Sequence, residues 1–162
     1  MREILFRGKQ KEGRWVEGIY FKHDTVKVCF SSDATKPRHL IIQDGFCDWG
    51  FEPPIHCVDV DPKTVGQFTG LTDKNGKNIF EGDLLNGFEY PYYRSESNEH
   101  NYFAEVVWFD ENCAFGLVTH KYPTSKVRGI SAGNADYVED FNPEEWEVIG
   151  NIHDNPELLE GE

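Results

Sequence analysis

Apolar residues recur along this chain in short runs with a period near two, broken by corners rich in glycine, proline and asparagine. That period sends alternate side chains to opposite faces of an extended strand, so the pattern predicts many short strands. Residues 3–7 and 14–22 read as two strands joined by a turn at 9–13. Gly18 lies inside the second, where a glycine marks a bulge or a close backbone approach. Residues 26–30 alternate, with Val26, Val28 and Phe30 on one side, and 38–43 and 55–60 read as further strands. Residues 102–109 are apolar on both parities, which predicts cover on both faces. After a turn at 110–112 the return strand, 113–120, alternates Phe115, Leu117 and Thr119. Residues 137–138 and 146–152 complete the strands. Asn155 as N-cap with Pro156 at the first helical position then predicts a short terminal helix that docks Leu158 and Leu159.

The stretch 65–85 organises the rest. Residues 65–71 place apolar side chains between Gly and polar ones, a half-buried strand with its apolar residues expected at odd positions. Asp73-Lys74-Asn75-Gly76-Lys77 turns the chain: Asp opens a type I turn, and Gly76 supplies the positive φ that closes a hairpin with a bulge. Glu81-Gly82-Asp83 bends the chain again into a further strand. Many short strands with turns at near-regular spacing predict a mainly β fold of small, partly open barrels. The C-terminal part is SH3-like by analogy of strand order. The link at Asp61-Pro62 divides an N-terminal β subdomain, 1–62, from a C-terminal barrel subdomain with its terminal helix, 63–162.

Three segments resemble the YopX family of phage- and prophage-encoded bacterial proteins. The centre carries Thr64-Val65-Gly66-Gln67-Phe68-Thr69-Gly70-Leu71, the Asp73–Lys77 turn and Ile79-Phe80-Glu81-Gly82-Asp83. The start is Met1-Arg2-Glu3-Ile4-Leu5-Phe6-Arg7-Gly8. The end is Trp146-Glu147-Val148-Ile149-Gly150-Asn151-Ile152-His153-Asp154-Asn155-Pro156-Glu157-Leu158-Leu159. The resemblance implies a mainly β fold and a phage or prophage origin, and it brings no catalytic residues. Residues 22–60 and 86–102 depart from the family pattern.

Composition sharpens the picture in two ways. Twelve Phe, seven Tyr and four Trp supply enough bulk for a real core despite a modest apolar share. The formal net charge of −13 weighs against direct nucleic-acid binding, which needs cations to neutralise phosphates, and against anionic membranes. It favours solubility and is compatible with a partner that has a basic surface. With no apolar leader at Met1 and no spanning run, the expected location is the cytoplasm of the bacterial host, where the four scattered cysteines stay reduced.

Candidate chemistry is weaker at each point than its structural explanation. In Asp73–Lys77 the Gly comes too early for a calcium loop, so the hairpin turn wins. Cys47, His56 and Cys57, with His39 nearby, fit no zinc spacing, and His56 and Cys57 face opposite sides of one strand. Cys113 and His120 could be nucleophile and base, but a buried Cys acting as a small hydrophobe is the simpler reading. Glu81 and Asp83 share parity across Gly82 and could converge for acid–base work, while a solvated face explains most acidic clusters in so acidic a chain. No cofactor or metal is expected. Aromatics on loop-like segments form the candidate partner surface: Phe46, Trp49 and Phe51, and then Phe88, Tyr90, Tyr92 and Tyr93.

The sequence therefore favours a non-enzymatic binding or interaction module that self-associates into a homo-oligomer. A first alternative is an acidic DNA-mimic inhibitor of a host nucleic-acid-binding protein. A second is a small hydrolase using Glu81 and Asp83.

Overall fold

A computed structural model describes residues 3–24, 37–44, 55–89, 100–121, 135–137 and 146–159. The chain divides into two units, Met1–Phe68 and Thr69–Glu162. The sheets are antiparallel and each unit carries its own apolar cluster.

The first unit holds β1 (Phe6–Lys9), β2 (Trp15–His23), β3 (Arg38–Asp44), β4 (Ile55–Asp59) and the start of β5 (Gly66–Thr72). They are ordered β4-β3-β2-β1-β5. The β1–β2 corner closes as the sequence predicts: Gln10 N–H donates to Arg14 O at 2.8 Å, and Gly13 takes φ of 88°. The register sets Tyr20 opposite Ile41, and Ile41 opposite Val58. Period-two alternation thus gathers Val16, Tyr20, Ile41 and Val58 on one face, where they pack with Phe6, Val60 and Val65. Gly18 is the close approach its position predicts, since a Cβ there would lie 2.2 Å from the backbone oxygen of Ile42.

After β4 the chain folds back on β1. Val60 N–H donates to His39 O and Asp61 N–H to Lys9 O. Asp61 Oδ1 caps a 3-10 turn at Pro62–Thr64 by accepting from Lys63 N–H at 3.0 Å. Thr64 Oγ1 accepts from Lys9 N–H at 2.8 Å and donates to Asp61 O. In β5 the buried positions are Gly66 and Phe68. The odd-numbered face expected to be apolar is only half-buried. Phe68 is the bulkiest side chain of the strand, and its parity decides which face turns inward.

The second unit continues β5 into β6 (Asn78–Phe80), followed by β7 (Asp83–Glu89), β8 (His100–Phe109), β9 (Ala114–Lys121), β10 (Ala135–Tyr137) and β11 (Trp146–Asn151). The last five form a sheet ordered β10-β9-β8-β7-β11. Its inner face carries Leu85, Ala104, Val106, Phe115, Leu117 and Val148, packed with Ile79 and flanked by Leu71, Trp108 and Trp146. Trp108 meets Phe115 edge-on at 4.9 Å, directly across the β8–β9 ladder. On the other parity of β8, Val107 and Phe109 are half-buried. In β11 Val148 faces Leu85 and Gly150 faces Leu84. Ile149 is thus the extra residue of a β-bulge, and it is 36% exposed.

Three expectations need correction. Among the described residues the strands form two antiparallel sheets that do not close, where small, partly open barrels were expected. Closure requires end strands that pair along their length, and the three-residue β10 offers too short a ladder. The terminal helix is a single 3-10 turn, Pro156–Leu158. Asn155 precedes Pro156 as predicted, but its side chain makes no cap bond because it is already engaged: Oδ1 accepts from Asn151 N–H and Nδ2 donates to Glu157 Oε1. Cys113 is exposed and lies outside the return strand, in the β8–β9 turn, where it takes a left-handed φ of 51°.

Candidate functional site

The polar residues of the central and C-terminal segments close three turns of the second unit. In the first, Asp73 N–H donates to Lys77 O, and Gly76, at φ of 78°, donates to Asp73 O. The Asp73 carboxylate sits inside this loop. Oδ1 accepts from Asn75 N–H at 2.8 Å and Lys77 N–H at 2.9 Å, and Oδ2 accepts from Val148 N–H on β11 at 3.0 Å. Burial pushes this carboxyl up, but the three amides and the Lys77 charge outweigh it and hold it below the usual carboxylate range. Lys74 adds an ion pair to Glu147 at 2.6 Å, and its N–H donates to Trp146 O.

The second turn joins β6 to β7. Gly82 takes φ of 78°, donates to Val106 O and accepts from Ile152 N–H. Asp83 Oδ2 accepts from Phe80 N–H at 2.8 Å, and Asp83 is only 1% exposed. The Glu81–Asp83 pair therefore fails to converge on open solvent, because one of its carboxylates is enclosed in the turn it helps to close.

The third turn follows β11. Asn151 Oδ1 accepts from the N–H groups of His153 and Asp154, and Asn151 Nδ2 donates to Asp154 Oδ2 at 2.9 Å. Gly150 is required there: a Cβ would lie 2.3 Å from Asn155 Oδ1. Asp73, Gly82, Asp83 and Asn151 thus serve folding by satisfying or shaping backbone that a tight turn would strand, and Gly150 by leaving room for the Asn155 side chain.

Of the predicted partner surface, Phe46, Trp49, Phe51, Tyr90, Tyr92 and Tyr93 lie outside the described residues. Phe88 is seen only as backbone of β7, where it pairs with Asn101. Cys47 also lies outside. His56 and Cys57 occupy adjacent, opposite-facing positions of β4, and Cys57 is an exposed free thiol. Among the described residues no group of His, Cys, Asp and Glu is arranged to hold a metal ion. His39 is engaged with Tyr20, whose hydroxyl lies 2.5 Å from Nδ1 with the rings stacked.

One surface was missed. The face of β2–β4 opposite the first core exposes Ile19 (61%), Phe21 (47%) and Ile55 (70%). Its signal was legible in the unbroken apolar run Ile19-Tyr20-Phe21, which fills both faces of β2 where only one meets the core. Beside this patch Arg38 grips Asp59 through two hydrogen bonds, at 2.9 and 2.6 Å. The bonded guanidinium lowers the Asp59 carboxyl below its ordinary range, and the carboxylate raises the Arg38 group.

Taken together these features define a mainly β protein of two open antiparallel sheets, with three side-chain-locked turns in its second half. The family model described as YopX protein matches residues 5–160, nearly the whole chain, and the chain belongs to that family. Among solved structures it is similar to protein EF1440 from Enterococcus faecalis, a crystal structure 23% identical in sequence. That likeness covers 99% of this chain and 100% of the other, with a TM-score of 0.48. Comparison with curated proteins returns no match. Among the described residues no helix is long and apolar enough to cross a membrane.

Proposed function

We propose that this chain is a non-enzymatic binding module of phage or prophage origin that associates with itself inside the bacterial host. One observation carries the reading: the carboxylates and amides that distinguish the family segments are bonded to backbone within their own turns. Asp73, Asp83 and Asn151 each accept main-chain N–H from the turn they help to close, which stabilises its shape. A rigid frame of this kind suits presentation of a surface. Phe46, Trp49, Phe51, Phe88, Tyr90, Tyr92 and Tyr93 remain the proposed partner surface, since aromatic side chains carry much of the energy of protein contacts. Sedimentation of the purified chain over a hundredfold concentration range tests the reading. A concentration-dependent shift to a defined larger species supports it, and a monomer throughout overturns the self-association.

The net charge of −13 supports a second reading, an inhibitor that imitates nucleic acid to occupy a basic host protein. Competition decides it: the chain should displace duplex DNA from such a protein at low salt, with the effect fading as salt screens it. No displacement at low salt would leave this reading without support.

A further inference from the structure

The Asn-Gly dipeptide occurs twice in this chain, at Asn75-Gly76 and at Asn86-Gly87. It is the pair in which an asparagine side chain is most open to attack by its own backbone, because glycine puts no Cβ in front of the attacking nitrogen. That nitrogen gives up its proton and bonds to the asparagine Cγ. The carboxamide C–N bond breaks, and its nitrogen leaves as ammonia. Water then opens the cyclic imide at one carbonyl or the other, giving aspartate or isoaspartate. We infer that Asn75 is a site of this spontaneous deamidation, that the sheet protects Asn86 from it, and that the Asp73 carboxylate sets the rate at Asn75.

The two sites share a dipeptide and little else. Asn75 and Gly76 are exposed at the tip of the β5–β6 turn, and nothing lies within 4 Å of where a Gly76 Cβ would be. No hydrogen bond holds the Asn75 carboxamide among the described residues. Asn86 and Gly87 lie within β7, paired with β8 on one side and β11 on the other. Asn86 Oδ1 is buried, and a Cβ on Gly87 would meet the Trp146 ring at 2.5 Å. A backbone held extended between two ladders cannot rotate Gly87 N onto the Asn86 side chain without breaking both.

Access alone does not release Asn75. In the closed turn Gly76 N–H donates to Asp73 O at 2.9 Å, which keeps the proton on the nitrogen that must attack. Asp73 Oδ1 holds the residues on either side of it, accepting from Asn75 N–H and Lys77 N–H. Reaction therefore waits for the turn to open, a local event that leaves the sheet behind it in place. The product works against the lock. An acid in place of Asn75 sets a second negative charge near the Asp73 carboxylate. Isoaspartate also adds a main-chain carbon between the two N–H groups that Oδ1 accepts.

The test incubates the full chain in mildly alkaline buffer and follows each asparagine by peptide mapping with mass spectrometry. In the folded chain Asn75 should convert while Asn86 persists. In urea the two should convert at similar rates, which shows that the fold and not the dipeptide separates them. Asp73→Ala, with its strand content checked by circular dichroism, should speed conversion at Asn75 by about tenfold and leave Asn86 intact, because the turn opens more often once its acceptor is gone. Asp73→Asn keeps one acceptor oxygen and should fall between the two; it decides the matter should the Ala chain fail to fold. Equal rates at Asn75 and Asn86 in the folded chain overturn the site. A rate at Asn75 that a folded Asp73 variant leaves unchanged overturns the role of Asp73.

Discussion

The Asp73 carboxylate accepts the backbone N–H of Val148 at 3.0 Å, a bond between residues 75 positions apart in the chain. It joins the β5–β6 turn to the last strand, and its other oxygen closes the turn itself. Replacing Asp73 by Ala removes the acceptor for three amides, one of them buried on β11. The expected loss of stability is about 1–3 kcal/mol, the cost of leaving a buried donor unmatched. Urea unfolding of the Asp73→Ala chain measures it, and Asp73→Asn should lose less because an acceptor oxygen remains.

The same carboxyl gives the protein an acid dependence. Its folded-state value lies below the ordinary one, so ionised Asp73 stabilises the fold above the unfolded value of about 4. That contribution is lost as pH falls through the folded value. Asp59 is shifted in the same direction, but its exposed pair with Arg38 is screened by water and adds little. Urea midpoints measured from pH 6 down to pH 2 should fall more steeply for the unaltered chain than for Asp73→Asn. Parallel curves would show that the bond to Val148 is not the acid-sensitive element.

Gly76 separates backbone strain from crowding. Its φ of 78° disfavours a side chain, yet nothing lies within 4 Å of the position a Cβ would take. Gly76→Ala should therefore cost about 1–2 kcal/mol, the penalty of a left-handed residue with a Cβ. Gly76→Asn should cost less than Ala, because Asn tolerates that region. Thermal melts of the two variants give the order.

Gly18 and Gly87 test crowding by itself. A Cβ on Gly18 meets the Ile42 carbonyl oxygen at 2.2 Å, and one on Gly87 meets the Trp146 ring at 2.5 Å. Either Ala variant forces a shift in a paired strand and should cost about 1–3 kcal/mol. Gly87→Ala should in addition change the tryptophan fluorescence of the folded state, since the ring must move. Gly18→Ala acts against backbone and has less room to relax.

Much of this fold is legible in the letters because its corners are chemical. Asp73, Gly76 and Gly82 announce their turns through side-chain acceptors and positive φ, and Gly18 announces a close approach. The parity of β9 follows from Phe115 and Leu117 alternating in a strand with one inner face. What escaped depends on relations the letters do not carry. Open sheets differ from barrels in whether distant end strands reach one another. Cys113 reads as part of an apolar strand until the turn before it is seen to need a left-handed fourth residue. The Asn155 cap failed because its side chain was spent on Asn151, a choice made in three dimensions. For the site, burial of Asp83 was hidden because acidity suggests solvent, while the Ile19–Phe21 run was visible and its outward half went unweighed.

Ile149 has no counterpart across the ladder: Leu85 and Leu84 are consecutive, yet they face Val148 and Gly150. Deleting it would leave every observed pairing of β11 intact, from Trp146 against Gly87 to Asn151 against Asp83. Elsewhere in that strand a one-residue deletion would turn the inward side chains outward. The bulge is thus the single point of β11 at which the strand can shorten by one residue with the asparagine-locked turn downstream left in register.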